Sequence, residues 1–69
     1  MTKLELRKLL SQGELEVVAK ELNYTSDKLD EYKSLENQKK DSEQLTYFLD
    51  LEDEITKELL ILVNDHTHN

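Results

Sequence analysis

One glycine, Gly13, and no proline punctuate the chain of 69 residues. These two residues are the strongest breakers of regular structure, so helices here can run until a cap or a polar stretch stops them. Leucine, glutamate and lysine dominate, and no segment sustains the period-two alternation of a strand. The expected class is all-α, with three short helices followed by a long C-terminal one in a small bundle.

Local signals place the boundaries. Thr2 followed by Glu5 reads as a capping box opening the first helix, with Leu6, Leu9 and Leu10 inward, and Gly13 ends or bends it. A second helix is expected from about Glu14 to Leu22, with Leu15, Val18 and Leu22 as its buried stripe. Asn23, Tyr24 and Thr25 form the next break, since asparagine tolerates the left-handed backbone that closes a helix. A third helix begins near Ser26, turns Leu29, Tyr32 and Leu35 or Glu36 inward, and fades into a loop at Asn37, Gln38, Lys39 and Lys40. Asp41 or Ser42 caps the fourth, which reaches about Asn64, with Gln44 as a possible box partner. Along it Leu45, Phe48, Leu49, Ile55, Leu59 and Leu62 form one stripe, and Leu51, Ile61 and Val63 widen the apolar surface beyond what one neighbour covers. Residues 1–64 make a single helical domain, and residues 65–69 a flexible tail.

So short a chain buries a small fraction of its surface, and it has neither cysteine for a disulfide nor a Cys/His cluster for zinc. Helix packing and self-association remain as stabilisers. The five consecutive apolar residues from Leu59 to Val63 suggest a homodimer, with Leu59, Leu60, Leu62 and Val63 as the contact. Early leucines are interrupted by Glu5, Arg7 and Lys8, giving no signal-peptide core, and no apolar run approaches a membrane span. A cytoplasmic location is expected.

Charge is the most informative part of the composition. Residues 1–22 hold four basic and four acidic side chains, residues 23–41 four and five, and residues 42–69 only Lys57 against seven acids. Most of the net charge of −7 therefore sits in the last third. Such a surface repels polyphosphate and membrane headgroups and steers toward basic proteins.

One segment carries a motif. Val18 and Ala19, Leu22, Asn23 in a turn, Tyr24, and then Leu29 and Tyr32 have the spacing of two short helices meeting at a small residue. Residues 15–34 thereby resemble a degenerate helix-turn-helix, with Asn23 where that family usually has glycine. The resemblance implies that the helix from Ser26 would enter the DNA major groove. Asp27, Asp30 and Glu31 on its outward side oppose this, with only Lys28 and Lys33 to offset them, and no dense basic patch stands elsewhere.

Other constellations carry little. His66 and His68 are two apart at the chain end, and Asp50, Glu52, Asp53 and Glu54 lack the glycine-containing loop of a calcium site. No metal and no cofactor are expected. There is no cysteine, no serine with a histidine in an ordered segment and no phosphate-binding loop, so the chain is not expected to be an enzyme. Tyr24, Tyr32 and Tyr47 read as residues at the edge of the core with wet hydroxyls.

Two functions follow as expectations. The first is a small acidic regulator or inhibitor, similar in size and charge to regulators of phages and plasmids. It would dock on the basic surface of a nucleic-acid-binding protein through Glu43, Asp50, Asp53, Glu54 and Glu58, which recur at three- and four-residue steps. The alternative is a transcriptional regulator that binds DNA through the helix-turn-helix and dimerises through the last helix.

Overall fold

The computed structural model describes residues 1–66 and contains four helices: α1 (Lys3–Ser11), α2 (Leu15–Glu21), α3 (Asp27–Glu36) and α4 (Ser42–Asn64). There is no strand among the described residues. Each start is chemically marked except that of α2, whose N-cap Glu14 makes no side-chain cap bond. Thr2 Oγ1 accepts from the Glu5 amide at 3.2 Å while the Thr2 amide donates to Glu5 Oε1 at 3.3 Å, the reciprocal pair of a capping box. Ser26 Oγ accepts from the Lys28 amide at 3.2 Å, and Asp41, not Ser42, caps α4 by accepting from the Gln44 amide at 2.8 Å.

Two helix ends share one device. After α1, Gly13 has φ 79°, its amide donates to Leu10 O and the next amide, Glu14, to Leu9 O, each at 3.0 Å. After α2, Asn23 has φ 56°, its amide donates to Lys20 O at 3.3 Å, and Tyr24 donates to Ala19 O at 2.8 Å. Both are Schellman closures, in which a left-handed residue turns the chain back onto carbonyls that the helix leaves unpaired. Gly13 therefore ends α1 outright.

The core joins Leu6 and Leu10 of α1, Leu15, Val18 and Ala19 of α2, Leu29 and Tyr32 of α3, and Ile55, Leu59 and Val63 of α4, with Leu9, Leu22, Tyr24 and Phe48 packed at its edge. Each short helix packs on α4, and α1 also packs on α2. At 1.5 Å per residue, α4 runs about 35 Å and sets the long dimension of the molecule.

The buried row of α4 differs from the sequence-based stripe. Leu51, Ile55, Leu59 and Val63 are inside, whereas Leu45, Leu49 and Leu62 are exposed. The reason is that apolar residues occupy much of the circumference of α4, so its own pattern does not fix its phase. The neighbours fix it instead, and they select a row of four-residue steps. No described helix is long and apolar enough to cross a membrane.

Candidate interaction surface

With 100° of rotation per residue, Glu43, Asp50, Asp53, Glu54 and Glu58 span an arc of about 140° on α4, away from the row Leu51–Ile55–Leu59–Val63. They do share one side of the helix, but not one environment. Glu54 and Glu58 border α3, where Lys28 Nζ lies 3.2 Å from Glu54 Oε2 and 2.9 Å from Glu58 Oε2. The Tyr24 hydroxyl donates to the other Glu58 oxygen at 2.7 Å. Hydrogen bonds from Lys28 and Tyr24 hold the Glu58 carboxyl below its usual range, and the same carboxylates raise the Lys28 ammonium above its own. Asp53 pairs with Lys57 one turn on, at 2.9 Å. Among the described residues Glu43 and Asp50 form no ion pair.

A second group of carboxylates surrounds the end of Tyr32 and was not foreseen from the sequence. The Tyr32 hydroxyl donates to Glu52 at 3.4 Å, and its ring stacks on Phe48 with centroids 4.8 Å apart. Burial first, and then the charges of Glu52, Glu36 and Glu16, push this phenol up to about 12. Glu36 at the end of α3 is itself raised, by burial, then by a hydrogen bond and charge repulsion from Glu16 at the start of α2, with Lys40 opposing. Three helices thus bring negative groups together, and residues as distant in sequence as Glu16, Glu36 and Glu52 carry no local signal of it. No group of three or more potential ligands among the described residues is arranged to hold a metal ion.

The tyrosine hydroxyls are not simply wet. Tyr24 and Tyr32 donate to carboxylates of α4, and Tyr47 of α4 donates to Glu31 of α3. Together with Lys28, these bonds clip α3 and the turn before it along residues 47–58 of α4.

The residues expected to drive self-association divide. Leu59 and Val63 are fully enclosed by the chain's own helices, while Leu60 and Leu62 stand out with Ile61. In the helix-turn-helix segment, Val18, Ala19, Leu29 and Tyr32 are buried and Asn23 makes the left-handed turn. Asp27, Asp30, Glu31 and Lys33 face solvent on α3.

The N-terminal residues meet the C-terminal end of α4 and α2. The Met1 ammonium lies 3.2 Å from Glu21, Arg7 donates to Asn64 at 2.7 Å, and His66 Nε2 is 3.1 Å from the Met1 carbonyl. His68 lies outside the described residues. Beside these contacts Met1, Glu5, Lys8, Leu9 and Gln12 line a shallow groove of about 390 Å³. No known protein family, curated protein or solved structure matches the chain.

Proposed function

We propose that this chain is a protein-binding regulator that docks on a cationic surface of a nucleic-acid-binding protein and modulates or blocks it, a role of the kind small phage or plasmid inhibitors fill. One observation carries the reading: the solvent side of α4 holds a row of carboxylates of which Glu43 and Asp50 pair with no cation among the described residues, while α4 itself supplies only Lys57. A face of that sign attracts basic partners at long range and gives little to polyphosphate. Titration against poly-L-lysine and against a basic nucleic-acid-binding protein, repeated as salt rises through about 0.15 M, where the Debye length is about 8 Å, tests it. Affinity that falls steeply with salt supports the reading, and affinity indifferent to salt, or none at low salt, removes it.

A second reading, direct DNA binding through α2 and α3, is favoured by the buried Ala19 and the left-handed Asn23 between the two helices. Its electrostatics are poor, because Lys28 is already engaged by Glu54 and Glu58, leaving Lys33 among Asp27, Asp30 and Glu31. A gel shift with the chain's own operator region at low salt distinguishes the two.

Under either reading the exposed end Leu60, Ile61 and Leu62 suits a homodimer, a second copy covering it as Leu59 and Val63 are already covered from within. Sedimentation at micromolar concentration should show the dimer, and Leu60→Asp with Leu62→Asp should dissociate it. A clean monomer in the unmodified chain excludes it.

A further inference from the structure

The opposite end of α4 presents a different surface. Leu45 and Leu49, one helical step of four residues apart, are 47% and 52% exposed. Side chains three and four residues apart are neighbours on a helix, so Leu49 sits beside Glu52 and Asp53, and Asp50 follows in the adjacent row with Thr46. Glu52 is the α4 member of the carboxylate group around Tyr32, which adds Glu16 and Glu36 from α2 and α3. The apolar pair therefore lies between two acidic margins: Asp50 and Asp53 on one side, and Glu52 with Glu16 and Glu36 on the other.

A second copy of the chain is the wrong occupant for this strip. It would bring an identical pair of acidic margins against these, and like charges brought together across an interface cost several kcal/mol. A cationic surface without an apolar ridge would leave the leucines in water. The complementary shape and charge belong to a helix with apolar residues on one ridge and lysine or arginine on both flanks, laid along α4.

We propose that the Leu45–Leu49 strip, with its flanking carboxylates, is a docking site for a basic amphipathic helix. The inference rests on the reading of a cationic partner and narrows it to a partner element and a place. Lys57, paired with Asp53, marks the C-terminal limit of the site, because beyond it the outward residues turn to Leu60 and Ile61.

The test uses the whole chain and a fluorescently labelled helical peptide of leucine and lysine, with leucines at i, i+3, i+4 and i+7, read by anisotropy. Poly-L-lysine serves as the cation without a ridge. Leu49→Gln keeps a good helix former at an exposed position, so the fold should survive, as circular dichroism will check. Losing the burial of one half-exposed leucine should weaken the amphipathic peptide about tenfold and leave poly-L-lysine unaffected. Asp50→Asn with Glu52→Gln should weaken both ligands and flatten their salt dependence. Equal binding of the amphipathic peptide by Leu49→Gln and the unmodified chain would overturn the strip while leaving a charge-only partner standing. No binding of either ligand at low salt would end the broader reading as well. A dimer in the unmodified chain that Leu49→Gln converts to monomer would assign the strip to a second copy and overturn the proposal.

Discussion

Leu49 and Leu51 are the same residue on the same helix, two positions apart, and the structure gives them opposite fates: 52% and 5% exposed. Replacing each with alanine in turn isolates the phase of α4, because both changes carry the same gain in helix propensity. Truncation removes three carbon atoms, worth about 2.4 kcal/mol at roughly 0.8 kcal/mol each when wholly buried, and an unfilled cavity adds to this. Leu51→Ala should therefore cost about 2.5 to 4 kcal/mol. Leu49→Ala loses roughly half the transfer energy and leaves no cavity, so its cost should stay near or below about 1 kcal/mol. Chains of this length are stable by only about 3 to 10 kcal/mol, at roughly 0.05 to 0.15 kcal/mol per residue, so Leu51→Ala should be close to unfolding. For a small domain each kcal/mol moves the melting temperature by roughly 4 to 8 °C, which separates the two variants by about 6 °C or more. Thermal and urea melts followed by circular dichroism, at two protein concentrations, are the assay. Equal costs, or a larger one for Leu49→Ala at both concentrations, would mean that the Leu45–Leu49–Leu62 stripe faces inward and that the described packing of α4 is wrong.

Further outcomes follow from the turns and the titrating groups. Asn23→Gly should be neutral or slightly stabilising, and Asn23→Ala should cost about 1 kcal/mol, because an L-residue with φ near +56° pays for its Cβ; chemical denaturation measures both. Glu36, raised in the folded chain, contributes stability below its unfolded value and loses it as pH rises through its folded one, so Glu36→Gln should stabilise the chain at pH 7, by no more than about 0.5 kcal/mol at so exposed a site, and have no benefit near pH 3. Glu58 has the opposite sign: its contribution is present above its unfolded value and lost as pH falls through the depressed folded one, so the penalty of Glu58→Gln should shrink on acidification in the same melts. Ultraviolet titration of the tyrosinates should find Tyr32 ionising at about 12, and Glu52→Gln should bring it down.

The helix boundaries were legible because their signals are local. Thr2 with Glu5, Gly13, Asn23, Ser26 and Asp41 each act within four residues along the chain, and the structure uses every one as a cap or closure. The inner residues of α1, α2 and α3 were legible too, since each of those helices has one apolar stripe and one side to hide. What the sequence left open was everything that requires knowing which helix lies beside which. Tyr24 with Glu58, Lys28 with Glu54 and Tyr32 with Glu52 join residues 20 to 34 positions apart, and no spacing rule reaches that far. Of the five carboxylates expected to meet a partner, Glu54 and Glu58 are consequently committed to distant parts of the chain and Asp53 to Lys57 one turn on, and the acid group of Glu16, Glu36 and Glu52 had no local mark at all.

The same geometry explains why the strip at Leu45 and Leu49 is open. Arg7 on Asn64 fixes α1 at the C-terminal end of α4, and Lys28, Tyr32 and Glu31 fix α3 along residues 47–58. Toward its N-terminus α4 thus has α3 on one flank, with Lys40 reaching over Phe48, but the flank carrying Leu45 and Leu49 is left exposed. A helix of about 35 Å with apolar residues on more than one side cannot be covered by three helices of roughly 10 to 15 Å that must also cover one another. Lengthening α1 would not close the gap, because α1 already leaves α4 at Gly13 to begin α2. The uncovered leucines are therefore a consequence of how the chain is connected, and the acids beside them set the charge of whatever helix can lie there.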